Sequence, residues 1–412
     1  HELPLIKLTV QMRNGEVNVP PGKEGMADIA AQAVRNGGSE TYPGDTLDRL
    51  LEDKAAQMDV AFSRVSGRAS LNVLQEDFEA LLPVFTDVLL RPRFPQEKIE
   101  LAKTKLKTRI ARRNDQQRDI ALREFKKLVY GEKSVYARVP EYRTVDAITR
   151  QDVREFYAPG VKGENLLLSV VGDFETEEMA AALRQAFGDV EPGQRQEFAD
   201  LPRAEPESEG GISCIHKSGV NQSFIILGHT GVTRTNPDYP ALQVMNKILS
   251  GGFSGRLFEQ IRTKRGLAYS VFGRVGSRYW YPGLFYIGLK TESARTKEAI
   301  VAVQEEITRL QEEGVSGEEL RQAKDQFLNS LVFRYDSAEK IMERRRYYEY
   351  RDMPADSFET LMEDIEAVDA AEVQRVAREY IRPEALQILV VGDKAAVSKQ
   401  LESLGPVHTR EL

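Results

Sequence analysis

Residues Ala147–Asp173 read AITRQDVREFYAPGVKGENLLLSVVGD, and residues Ala367–Asp393 read AVDAAEVQRVAREYIRPEALQILVVGD. The two stretches align without a gap at an offset of 220 positions. Each predicts a helix, a short turn and an apolar strand closed by Val-Val-Gly-Asp, a pattern suited to a sheet interior. A second pair keeps the same order: FPQEKIELAKTKL from Phe94 and VSGEELRQAKDQF from Val315, at an offset of 221. Both begin as helices, with Pro or Ser-Gly ahead of paired acidic residues. Two similar halves in one order imply two copies of one domain, and the period is far too long for a solenoid.

Outward from these repeats, EPGQRQEFADLPRAEPESEGG (Glu191–Gly211) is rich in Pro, Gly and Glu and poor in apolar residues, so it reads as a linker. The expected domains are therefore 1–190 and 212–412, joined by 191–211. QSFIILGHTG (Gln222–Gly231) and GLFYIGLKT (Gly283–Thr291) predict strands. Ile300, Val303, Ile307 and Leu310 share one face of a helix that stops at Gly314. Long helices and strands without regular alternation predict an α+β fold rather than a doubly wound sheet. A length of 412 residues suits two such domains.

Bulk composition narrows the function. A net charge of −7 gives no general attraction for nucleic acid or anionic lipid. No apolar run approaches the ~20 residues that span a bilayer. One cysteine, Cys214, cannot form an internal disulfide. The opening HELPLIKLTVQM reads as an apolar strand entered halfway and carries no signal-peptide pattern, so it does not fix the compartment.

The richest stretch for chemistry is SGGFSGRLFEQIRTKRGLAYS, Ser250–Ser270. A phosphate loop would need Gly-x-x-x-x-Gly-Lys-Ser/Thr, but Arg256 and Leu257 stand where Lys and Ser/Thr belong. A dinucleotide loop would follow a strand, whereas YPALQVMNKIL ahead of it predicts a helix. His1, His216, His229 and His408 show no metal-ligand spacing. Cys214 and His216 share a strand face as a nucleophile and base would, though chance produces the same pattern. His229, in GHTG, is expected to end a strand in solvent. MERRRYYEYRD (Met342–Asp352) interleaves Arg with Tyr as nucleic-acid sites do, but Glu343, Glu349 and Asp352 favour a helix with Tyr packed inward.

The duplication, LLRPRFPQEKIE, NQSFIILG, the two VVGD ends and GGFSGRLFEQIRTKRGLAYSV together resemble the pitrilysin-type zinc metallopeptidases. These include insulin-degrading enzyme, mitochondrial processing peptidase and bacterial two-domain relatives. The resemblance covers essentially the whole chain. It implies two homologous domains, each a mixed or antiparallel sheet packed with helices, that form half of a clamshell. It also implies, in an active subunit, an H-x-x-E-H helix and a downstream Glu that bind zinc and supply the general base.

Here the matching segment is GMADIAAQAVRNGG, Gly25–Gly38. Gly25, Ala27 and Gly37 keep the family pattern. Asp28 replaces the first His, Ala31 the base and Gln32 the second His, and the downstream Glu falls near Thr108 and Arg109. A lone carboxylate beside a cation cannot make a three-ligand zinc site, so no cofactor is expected in this chain. The resemblance places on Arg262 and Tyr269 the substrate-binding and oxyanion-stabilising pair of the second domain. It implies a substrate-touching loop at Gly251, Gly252, Phe253, Ser254 and Gly255, whose glycines permit mobility and close approach.

The expected function is a zinc-free subunit of a heterodimeric peptidase. It would lend Arg262 and Tyr269 to a homologous zinc-bearing partner that cleaves unstructured peptides. Substrate would add a strand to the Gln222–Leu227 strand or to the one after Tyr269, with Gln222 a contact. A face meant for a partner would also allow a homodimer of the isolated chain. Bacterial periplasm and cytoplasm both fit. The alternative is an assembly scaffold without a role in proteolysis, for which a retained Arg262–Tyr269 pair would have no use. A peptidase with another site lacks a competing His, Cys or carboxylate constellation.

Overall fold

The computed structural model describes residues 4–198, 201–202, 210–333 and 335–412. His1 and linker positions 199–200 and 203–209 lie outside the described residues. Contacts divide the chain into two compact units. One comprises His1–Arg112, Arg138–Asp200 and Tyr335–Asp352, the other Arg113–Ala137, Leu201–Arg334 and Met353–Leu412. Each unit therefore includes one segment from the opposite half of the sequence.

The first unit is built on an antiparallel sheet of β1 (Leu5–Met12), β2 (Gln57–Phe62), β3 (Gly67–Leu74) and β4 (Leu166–Gly172), in the order β2-β3-β1-β4. Helices Met26–Gly37, Gln75–Leu90 and Gln96–Arg112 bury its main core, with Leu8, Val10, Ile29, Leu71, Phe85 and Ile99 almost wholly enclosed. The imported helix Ala338–Glu349 packs against β4. Arg346 donates to Gln11 Oε1 at 3.1 Å and to Ser169 Oγ at 2.9 Å. Tyr350, 1% exposed, donates its hydroxyl to the Val65 carbonyl at 2.6 Å, and Arg13 stacks 4.8 Å above its ring. The Arg-Tyr run is thus a packing surface, with Tyr348 and Tyr350 inward.

The second unit holds a mixed sheet of β5 (Gly211–His216), β6 (Gln222–Thr230), β8 (Ser270–Val275), β10 (Leu284–Glu292), β11 (Gln387–Gly392) and β12 (Val407–Arg410). Its order is β12-β5-β11-β6-β10-β8, and β7 (Val232–Thr233) with β9 (Ser277–Arg278) forms a separate two-stranded ribbon. In the six-stranded sheet β5 pairs in parallel with β11 and β12 while the remaining pairs are antiparallel, and β7 and β9 pair in parallel. Helices Tyr239–Ser250, Thr296–Glu312 and Ala370–Tyr380 supply the larger core. The imported helix Gln117–Tyr130 fills the other face through Ile120, Phe125 and Val129 against Phe224, Ile226, Leu389 and Val391.

The repeat is visible in local structure. Thr149 and Asp369, at equivalent positions, cap helices Arg150–Tyr157 and Ala370–Tyr380. Each accepts the backbone N–H of the residue three positions on, while that residue's carboxylate returns the bond. Such a box satisfies two of the orphaned donors at a helix start. The two VVGD strands differ in setting. β11 is central and buried at every residue, as expected, but β4 is an edge strand and mostly half-buried. The added strands β5 and β12 are what enclose β11.

Tyr350→Ala is expected to destabilise the first unit by about 3–5 kcal/mol. Tyr350→Phe, which leaves the Val65 carbonyl unpaired, is expected to cost about 1–3 kcal/mol. Urea denaturation followed by far-UV circular dichroism measures both.

Candidate functional site

Within the first unit, the helix Met26–Gly37 keeps its setting through packing. Gly25 precedes it at φ +101°, a left-handed conformation, and a Cβ there would lie 2.6 Å from Leu106 Cδ2. Ala27 is buried, and a Cβ on Gly37 would meet Pro95 Cδ at 2.6 Å. These three positions are held by shape. The polar face is different. Asp28 lies 3.4 Å from Arg109 on the Gln96–Arg112 helix, both partly exposed, so the pair is worth at most about 1 kcal/mol. Thr108 turns its hydroxyl onto the Thr104 carbonyl at 3.0 Å. Ala31 is buried and Gln32 half-buried. One carboxylate matched to a guanidinium, an alanine and an amide do not fit a zinc site. Among the described residues no group of three or more His, Cys, Asp or Glu could hold a metal ion.

Within the second unit, the helix Tyr239–Ser250 ends at Gly251, and Gly252–Ser254 forms a single 3₁₀ turn. A π-helix then runs Phe258–Lys264. Such segments are rare and recur at functional sites. It aligns Arg262 with Phe258, whose ring centroid lies 4.7 Å from the guanidinium carbon, and Tyr269 approaches the same carbon at 5.8 Å. Each cation–π contact at an exposed site is worth about 0.5–1 kcal/mol. Phe253 packs edge-on to Phe258 at 4.9 Å. Phe253 and Tyr269 are 82% and 78% exposed, so both rings are open to solvent.

The backbone under Tyr269 is firmly set. Its N–H donates to the Lys290 carbonyl at 3.1 Å, Thr291 donates to the Leu267 carbonyl at 2.6 Å, and Arg295 donates to the Gly266 carbonyl at 3.1 Å. The structure thus brings Arg262 and Tyr269 together and adds Phe258, which sequence reading passed over. The signal was the i,i+4 spacing of Phe258 and Arg262.

Several expectations are corrected. The strand holding Gln222 is interior, between β11 and β10, so it cannot accept an added strand, and the Gln222 carbonyl already accepts from Gln117 Nε2 at 2.7 Å. The strand after Tyr269, β8, is at the sheet edge. The close approach permitted by Gly251 and Gly255 is internal to the loop. A Cβ on Gly251 would lie 2.2 Å from the Lys247 carbonyl oxygen, and one on Gly255 2.7 Å from the Gly251 nitrogen. Gly252, at φ +76°, faces open space. Cys214 is buried and burial raises its thiol pKa, while His216 is exposed and accepts the Lys394 N–H at 3.2 Å, so the two form no nucleophile–base pair.

His229 is buried rather than solvated. Its Nδ1–H donates to the Thr230 carbonyl at 2.7 Å, and Nε2 accepts the Arg382 N–H at 3.1 Å. That tautomer is neutral, and burial lowers the ring's pKa from 6.5 to about 4.

Comparison with known proteins follows from this geometry. Residues 6–139 match the family described as Insulinase (Peptidase family M16), and residues 147–327 match the Peptidase M16 inactive domain. The chain belongs to peptidase family M16. An uncharacterized zinc protease of Streptomyces coelicolor is 26% identical over 333 residues, covering 79% of this chain and 72% of the relative. The non-peptidase homolog YmxG of Helicobacter pylori is 23% identical over 397 residues, covering 96% and 90%. A peptidase M16 inactive domain from Pseudomonas fluorescens has the same fold, with a TM-score of 0.83, 22% identity and coverage of 95% and 94%. The sequence of this M16 chain contains no H-x-x-E-H motif. Among the described residues no helix is long and apolar enough to cross a membrane.

Because the folded His229 stays neutral where the unfolded one protonates, stability is complete above pH 6.5 and falls as pH drops toward 4. The expected loss is about 3 kcal/mol across that window. His229→Gln is expected to flatten that part of the stability–pH curve, measured by denaturant titration at stepped pH.

Proposed function

We propose that this chain is the zinc-free subunit of a heterodimeric M16 peptidase. The observation that carries the reading is a contrast within one molecule. Asp28, Ala31 and Gln32 cannot hold zinc or activate water, yet Arg262 and exposed Tyr269 stand together on an ordered backbone. A guanidinium and a phenol are both donors, suited to the carbonyl oxygen of a peptide as it gains negative charge. A homologous partner would supply the metal and the general base. The two chains would close as a clamshell around an unstructured peptide and exclude bulk water. The edge strand β8, directly after Tyr269, would receive an extended peptide along Ser270–Phe272, since further on the Gly273 carbonyl and the Val275 N–H already bond Ser250 and Asn246. The glycine-bounded loop with Phe253 would touch the same peptide.

A scaffold role in a larger assembly is the competing reading, and the similarity to the Helicobacter non-peptidase homolog suits either. The exposed Arg262–Tyr269 pair favours the peptidase subunit.

The purified chain alone is expected to cleave no peptide and to bind no stoichiometric zinc. Co-expression with a homologue bearing an intact H-x-x-E-H is expected to yield a peptidase. In that complex, Arg262→Ala and Tyr269→Phe should each lower kcat, with a single oxyanion donor worth about 10²-fold. Unchanged turnover in both variants, or chelator-sensitive cleavage by this chain alone, would overturn the reading.

A further inference from the structure

Both ends of the exposed loop are tied to one helix. On Gly317–Val332, Glu319 and Gln326 lie seven residues apart, hence on one face. Gln326 Nε2 donates to the Gly251 carbonyl at 2.9 Å, where the loop begins. Five residues on, Arg256 donates from Nε and Nη2 to the two Glu319 oxygens at 2.6 and 3.0 Å, and from Nη2 to the Gly314 carbonyl at 2.8 Å. Two-pronged guanidinium–carboxylate pairs are stronger and more directional than single contacts.

The fork is well enclosed, since the Arg256 side chain is only 13% exposed. Glu319 is itself fixed, because its Oε2 accepts the Ser316 N–H at 2.9 Å in a capping box. The Arg256 guanidinium and these further bonds hold the Glu319 carboxyl at a pKa of about 2, so the pair stays ionised at ordinary pH. At the other end, a Cβ on Gly251 would lie 2.2 Å from the Lys247 carbonyl oxygen and 2.7 Å from Gln326 Oε1, so a larger residue there would shift the backbone and the amide that bonds it. Between the two ties the Phe253 ring stays exposed, resting edge-on against Phe258.

We propose that Glu319 and Gln326 are positioning residues that mount the loop at two points, so that Phe253 is presented to a peptide beside Arg262 and Tyr269. This rests on the peptide-contacting role proposed above for that loop. The ordering of the loop is then completed during folding, and peptide binding does not have to supply it.

Hydrogen–deuterium exchange across Gly251–Arg262 reads the mount, and the affinity for fluorescein-labelled β-casein, an unstructured polypeptide, reads its use. In Glu319→Gln, in Gln326→Ala and in their combination, exchange of the loop is expected to accelerate roughly tenfold or more while β6 and β10 are unchanged. The casein Kd should rise by about tenfold. Arg256→Lys keeps the charge, loses the fork and should match Glu319→Gln. Glu318→Gln, whose exposed partner is Arg321, should behave as the parent chain. The proposal is overturned by unchanged loop exchange in the combined variant. It is equally overturned by faster exchange with unaltered casein affinity while Tyr269→Phe weakens casein binding. A loosened loop with casein affinity indifferent to Arg262→Ala and Tyr269→Phe would instead remove the peptide-site reading on which it rests.

Discussion

A sheet with apolar side chains on both faces must be covered twice, and most of this architecture follows from that requirement. In β6 and β11 burial is almost continuous, so neither face can be left to water. One face receives the helices of the same half. The other receives Gln117–Tyr130, a segment from the opposite half of the chain. The first sheet has the converse arrangement, with Ala338–Glu349 against β4. Neither half of the sequence therefore contains all the covers its own sheet needs, and the linker joins halves that are already interdependent.

The same logic of packing explains what the first unit has kept. Gly25 and Gly37 are required because a Cβ would collide with Leu106 and Pro95, and Ala27 because the helix lies close in the core. None of these constraints involves Asp28, whose carboxylate faces Arg109. The π-helix in the second unit reverses this relation. Its backbone departs from the commoner register, and on it Arg262 lies within cation–π distance of both Phe258 and Tyr269.

Much of the fold was legible in the chain order alone. The paired Ala147–Asp173 and Ala367–Asp393 segments announced two related α+β units, and the capping boxes at Thr149 and Asp369 confirm the match at the level of single hydrogen bonds. The exchanged helices were not legible, because an amphipathic pattern reports that a face is buried without saying against which sheet. For the same reason β6 read as a possible edge: its apolar run is compatible with either position until neighbours are known. His229 misled in the opposite direction. A histidine at the end of a strand beside glycine suggests solvent, and only the approach of Arg382 from far along the chain encloses it.

The sequence by itself determined the duplication, the α+β class, the absence of an H-x-x-E-H motif and the presence of Arg262 and Tyr269 seven residues apart. These depend on residue identity and spacing, which folding does not alter. Tertiary structure decided that Arg262 meets Phe258 and Tyr269, that β8 rather than β6 is the sheet edge, and that Glu319 and Gln326 reach the loop from a helix more than sixty residues on. The sheet order and the ties to the loop depend on contacts between distant segments, which are selected by the burial of whole faces, while the Arg262 contacts depend on the local backbone path from Phe258 to Tyr269.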